Sequence, residues 1–64
     1  MVKINGKEIE AAGLKVSEYL TDAGYNLQNI AVELNENILP KKEYENTLLK
    51  DGDTVEVVNF VGGG

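Results

Sequence analysis

Cysteine, histidine and arginine are all missing from this sequence, and there is one proline, Pro40. The first two absences remove disulfides, thiolate metal sites, cysteine nucleophiles and histidine acid–base chemistry together. A small domain without disulfides suits a reducing compartment. No apolar run approaches the roughly 20 residues of a membrane span. Met1–Gly6 lacks the basic and apolar regions of a signal peptide. A cytoplasmic location without membrane contact is therefore expected. All six basic residues are lysines, against eleven acids, for a net charge of −5. Nucleic-acid binding needs clustered positive charge, so a nucleic-acid partner is not expected. An acidic surface serves solubility and also steers basic protein partners.

What remains is enough for one small folded unit. The chain has 64 residues, and a core of this size rarely supplies more than roughly 3–5 kcal/mol. A deep catalytic cleft and a core do not both fit. Ile, Leu, Val and Phe make up roughly 30% of the residues, above the level of about 20% that signals disorder.

Asn5-Gly6 separates two short alternating segments, Val2–Ile4 and Lys7–Glu10. Both central residues of a type I′ turn need positive φ, so this dipeptide predicts a hairpin. A two-residue loop pairs Ile4 with Lys7, Lys3 with Glu8 and Val2 with Ile9. Val16, Tyr19, Leu20 and Ala23 then fall at helical spacing and predict one apolar stripe on a helix ending at Gly24. Lys15 is a poor N-cap there, which leaves Ser17 or a loose start. Asn26–Asn29 reads as a loop.

Ile30–Asn35 is a strand candidate, followed by a turn at Asn35-Glu36-Asn37 and a brief return at Ile38-Leu39 that Pro40 ends. Lys41–Asn46 reads as a turn or short helical piece, with Tyr44, Leu48 and Leu49 as core anchors. Lys50–Asp53 is a tight turn. Thr54–Val61 is the most β-prone segment, with Val55 and Val57 on one face and Val58 and Phe60 on the other. If the Val55 face is buried, Val58 and Phe60 form an exposed apolar patch. Such a patch marks a partner contact, unless a helix or loop covers it. Hairpin, helix and returning strand together predict an α+β layer.

No catalytic triad, metal-ligand spacing or phosphate loop is found. Asp51-Gly52-Asp53 opens like a calcium loop but lacks the rest of the ligand series. The ending is Val61-Gly62-Gly63-Gly64. Three glycines have no structural purpose at the edge of a packed domain, so they read either as a frayed end or as a thin arm entering a narrow site. The four residues after Phe60 reach roughly 13–14 Å when extended. The one reactive group left is the Gly64 carboxylate. Adenylation with ATP would supply it with a leaving group, which a sulfur nucleophile or an amine could then displace.

Several segments together resemble a known family. They are Ile4-Asn5-Gly6-Lys7, Val16-Ser17-Glu18-Tyr19-Leu20, Val32-Glu33-Leu34-Asn35 leading to Ile38-Leu39-Pro40, Leu49–Asp53, and Phe60–Gly64. Over essentially its whole length the chain looks like the small sulfur carrier proteins of thiamine biosynthesis, the ThiS type. The resemblance implies a ubiquitin-like β-grasp fold, with a mixed four- to five-stranded sheet and one main helix packed on one face. It implies a β-grasp domain over 1–60 and a flexible glycine tail over 61–64.

In chemistry, it implies a carrier rather than an enzyme, with no cofactor bound. A ubiquitin-activating-like adenylyltransferase (ThiF type) would use ATP on Gly64. Sulfur from a cysteine desulfurase system would leave a thiocarboxylate, and a thiazole synthase (ThiG type) would take that sulfur. Gly63, Gly62 and Val61 would thread the partner's site, with Phe60 and Val58 as the grip. Two departures stand out. Lys15 precedes the helix where members often carry Thr or Ser, and the end is three glycines where many have Ala-Gly-Gly. Two alternatives share much of this pattern: the small subunit of molybdopterin synthase, whose chains tend to be longer, and a non-covalent β-grasp binding module, which would not need to end on glycines.

Overall fold

The computed structural model describes residues 1–60. Strands β1 (Val2–Ile4) and β2 (Lys7–Ile9) pair antiparallel in the expected register, Val2 with Ile9, Lys3 with Glu8 and Ile4 with Lys7. Asn5 and Gly6 both take positive φ, 51° and 84°, as the type I′ turn demands.

Helix α1 runs Val16–Asp22. Its start resolves the capping question. Lys15 occupies the N-cap position with extended backbone and no side-chain cap, and Ser17 does not replace it. The Glu18 carboxylate instead accepts from the Lys15 N–H at 2.8 Å. The free amides of the first turn, which every helix leaves unpaired, donate outward: Val16 N–H to the Thr47 carbonyl at 2.9 Å and Ser17 N–H to the Tyr44 carbonyl at 3.0 Å. A remote loop thus does the work of a capping side chain. The other end is a Schellman motif. Tyr25 N–H reaches the Leu20 carbonyl and Gly24 N–H the Thr21 carbonyl, with Gly24 at φ 87°.

Of the expected helical stripe, Val16 and Leu20 are buried and Tyr19 half-buried. Ala23 is exposed, because the helix stops one residue before it and Ala23 is the C-cap. The stretch expected to be a loop after the helix is a 3-10 turn, Leu27–Asn29. Asn26 caps it by accepting from the Gln28 N–H at 2.9 Å.

Strands β3 (Ile30–Leu34) and β4 (Asn37–Leu39) form the second hairpin. Its two turn residues, Asn35 and Glu36, also lie at positive φ. A second 3-10 turn covers Lys41–Glu43. In the following segment Tyr44 and Leu49 are buried as core anchors. Leu48 is not: it is 54% exposed. The chain there runs beside Lys15 as an isolated antiparallel bridge, and neighbouring residues of an extended segment point to opposite sides, so only Leu49 turns inward.

The last described strand, β5 (Thr54–Asn59), is central. It ends two residues short of the expected Val61. The sheet order is β2-β1-β5-β3-β4, five strands in mixed directions, with β1 parallel and β3 antiparallel to β5. One main helix and this sheet form the α+β layer expected from the sequence. The core gathers Val2, Ile4, Val16, Leu20, Ile30, Val32, Leu49, Val55 and Val57, which gives each long strand one apolar face.

Candidate functional site

Alternation along β5 decides which residues are available to a partner. Val55 and Val57 point to the core, so Glu56 and Val58 point away from it. Val58 is 53% exposed and Phe60 54%. Among the described residues no helix or loop covers them, as the sequence had left open. Val58 lies opposite Ala31 of β3, and Phe60 N–H donates to the Asn29 carbonyl at 2.6 Å. That bond holds Phe60 against the start of β3 just beyond the end of the regular ladder.

The same open face carries a residue that the sequence reading did not single out as exposed. Ile38 of β4 is 67% exposed and sits opposite Glu33, which in turn sits opposite Glu56. The signal was present in the alternation of β4, since Leu39 is partly buried against the core and its neighbour must face the other way. The open face therefore carries an apolar group, Val58, Ala31, Phe60 and Ile38, with Glu33 and Glu56 among them. Residues paired across strands stand about 4.5–5.5 Å apart at Cβ, so Val58 and Ala31 form one continuous surface.

The expected tail residues, Val61, Gly62, Gly63 and Gly64, lie outside the described residues. What the described residues provide is the point of departure: Phe60, at the end of the central strand and on the open face.

Two asparagines hold that strand in place. Asn5 Oδ1 accepts from the Val57 N–H at 2.7 Å, and its Nδ2 faces the Val57 carbonyl at 3.4 Å and the Tyr25 hydroxyl at 3.5 Å. Asn35 Oδ1 accepts from the Thr54 N–H at 2.9 Å, and its Nδ2 donates to Asp53 at 3.1 Å. Both residues sit first in their turns, where positive φ swings the main-chain carbonyl out of the ladder. In each case the side-chain carbonyl stands in for it against β5. Asp53 is itself buried and accepts from the Lys50 N–H at 2.8 Å, which fixes the turn that feeds β5.

Among the described residues no group of three or more His, Cys, Asp or Glu could hold a metal ion. Burial pushes the Tyr44 hydroxyl above its usual 10.0, opposed by a hydrogen bond with the Val32 backbone. Burial, reinforced by the neighbouring Tyr25, does the same to Tyr19. Both tyrosines pack with the core, away from the open face. Among the described residues no helix is long and apolar enough to cross a membrane.

Comparison with known proteins matches residues 2–64 to the ThiS family model. The sulfur carrier protein ThiS of Thermus thermophilus is 39% identical over 64 residues, with all of both chains covered. That of Bacillus subtilis is 38% identical over 68 residues, again covering all of both. A thiazole synthase of Paramagnetospirillum magneticum is 40% identical over 62 residues, which are 95% of this chain but 19% of that protein. Among solved structures, the crystal structure of thiamine biosynthesis protein ThiS from Geobacter metallireducens superposes with a TM-score of 0.78 at 36% identity, covering 98% of this chain and 97% of that one.

Proposed function

The chain belongs to the ThiS family, and from that premise we infer that it is a sulfur carrier of thiamine biosynthesis whose sulfur rides on the Gly64 carboxylate. It is a carrier rather than a catalyst. The observation that carries this reading is the half-exposed pair Val58 and Phe60 at the end of the central strand, with three glycines as the last residues of the sequence. An apolar grip beside a terminus without side chains suits delivery of a carboxylate into another protein's site.

The chemistry follows from the terminus. A carboxylate oxygen of Gly64 attacks the α-phosphorus of ATP and pyrophosphate leaves, giving an acyl adenylate. A sulfur nucleophile then attacks the acyl carbon and AMP leaves with the bonding pair. With persulfide sulfur the first product is an acyl disulfide; a thiol then attacks the donor's sulfur, forming a disulfide with it and releasing the thiocarboxylate, which donates its sulfur for thiazole formation. The adenylating partner is a ubiquitin-activating-like enzyme of the ThiF type, the sulfur comes from a cysteine desulfurase system, and the acceptor is a thiazole synthase of the ThiG type. The last of these is supported by the thiazole synthase that shares sequence with this chain. Val61, Gly62 and Gly63 are the residues that thread the partner's site, which must exclude water to protect the adenylate. A disulfide-free carrier of this kind belongs in the cytoplasm.

The test is intact-mass spectrometry after incubation with ATP, the adenylating enzyme and a sulfur donor. The expected result is the mass gain of one oxygen exchanged for sulfur, confined to the C-terminal peptide. An unchanged mass under conditions in which a ThiS control is converted overturns the assignment.

A further inference from the structure

The Asn5-Gly6 turn has a chemistry of its own that sulfur carriage does not use. Of the seven asparagines in the sequence, Asn5 alone precedes a glycine. An asparagine side chain can be attacked at Cγ by the amide nitrogen of the next residue. The new C–N bond closes a five-membered succinimide, the old bond to Nδ2 breaks, and ammonia leaves with the proton given up by the attacking amide. Water then opens the ring at either carbonyl, giving aspartate or an isoaspartyl linkage. A following side chain obstructs this attack, and glycine has none.

In the folded chain the reacting group is already engaged. Asn5 Oδ1 holds the Val57 N–H at 2.7 Å and Nδ2 is turned to the Val57 carbonyl. The carbon that Gly6 would attack is thus fastened to the central strand across the sheet. We propose that Asn5 is a deamidation site gated by its own clamp on Val57. The reaction proceeds from molecules in which the β1–β5 end has opened, and its products do not restore the clamp in full: an aspartate carboxylate still accepts from the Val57 N–H, but the Nδ2 contacts are gone. Aspartate has no N–H for the Val57 carbonyl and sets a negative charge against it. An isoaspartyl residue adds a methylene to the main chain of a two-residue turn whose register is set by its length. Asn35 is the internal control. It has the same positive φ and the same attachment to β5, but Glu36 follows it.

The experiment ages the intact chain at mildly alkaline pH, with and without urea, beside a synthetic peptide of residues 2–10, and follows Asn5 by peptide mass mapping. In buffer, Asn5 should be lost about tenfold or more slowly than in the peptide, because local opening limits exposure. As urea unfolds the chain, the rate should rise to that of the peptide, while Asn35 stays intact throughout. Equal rates in the native chain and the peptide, or a rate indifferent to urea, overturn the gate. The product arm uses Asn5→Asp, which should melt below the parent or fail to fold. A melting temperature equal to the parent's overturns the claim that the product does not restore the clamp in full.

Discussion

The side-chain carbonyl of Asn5 accepts from the Val57 N–H at 2.7 Å, in the place that the Asn5 main-chain carbonyl would occupy if the parallel ladder ran on. Turn and sheet are therefore one device: the φ of 51° that closes the hairpin also frees the side chain to extend the pairing. Two costs separate by substitution. Asn5→Gly keeps the backbone conformation and loses the hydrogen bonds, a loss of about 1 kcal/mol. Asn5→Ala loses the same bonds and keeps a Cβ in the left-handed region without the side-chain amide that makes the conformation tolerable for Asn, so relative to Asn5→Gly it costs a further 1–2 kcal/mol or so. Urea unfolding midpoints of the two variants should fall in that order.

Leu20 is fully buried and Ile38 is 67% exposed. Truncating the first leaves a cavity and should remove about 2–5 kcal/mol, as much as a domain this small possesses. Leu20→Ala should therefore be largely unfolded by circular dichroism at room temperature. Ile38→Ala, on the open face, should shift the unfolding midpoint by no more than about 0.5 kcal/mol.

Alkali should weaken the fold through its tyrosines. The folded-state pKa of Tyr44 is raised above 10.0 by burial. The folded chain therefore holds its phenolic proton more tightly than the unfolded one. By linkage, this contribution to stability is fully present below pH 10.0 and is lost as pH rises through the folded-state value. Melting temperatures measured across that range should drop less steeply in Tyr44→Phe than in the parent. The comparison isolates this group from the lysines that titrate nearby.

Docking and stability should separate at Phe60. Its ring is half-exposed beside Val58, so Phe60→Ala should leave the urea midpoint nearly unchanged. Aromatic residues central to interfaces commonly contribute 2 kcal/mol or more. The KM for the carrier in the adenylation assay should accordingly rise about tenfold or more. An equal loss in stability and docking would return Phe60 to a structural role.

Removing Gly63 and Gly64 should abolish adenylation while circular dichroism and the melting temperature stay those of the parent. The described fold ends its last strand at Asn59, and among the described residues the core cluster draws on none beyond Val57. A loss of fold on deletion would contradict the reading of these glycines as an arm.

Much of this architecture was legible because local chemistry and long-range packing agree. Asn5-Gly6 specifies a hairpin register that the sheet then uses unchanged, and the alternation of Val55, Val57, Val58 and Phe60 separated core face from open face. Several of the failures share one cause, which is satisfaction at a distance. Lys15 is no capping residue, and nothing within the helix says that the Tyr44 and Thr47 carbonyls will bind its first amides. Leu48 and Leu49 are equally apolar, and only the bridge to Lys15 chooses between them. The bonds from Asn5 and Asn35 to β5 span 52 and 19 residues, beyond any local pattern. The site was read differently. Val58 and Phe60 came from alternation, while Ile38 emerged only once β4 had a partner.

The position of β5 also governs how the molecule is made. β1 pairs only with β2 and β5, and β3 only with β4 and β5, among the described strands. During synthesis the two hairpins emerge first and have no ladder between them, and a two-stranded hairpin alone is marginally stable at best. The strand that joins them is the last described one to leave the ribosome. The sheet thus closes only after Thr54–Asn59 has emerged, and a chain interrupted upstream of Thr54 remains two disconnected hairpins open to proteolysis. Completion of the fold thereby reports that synthesis has reached the segment bearing Val58, a form of length control written into strand order.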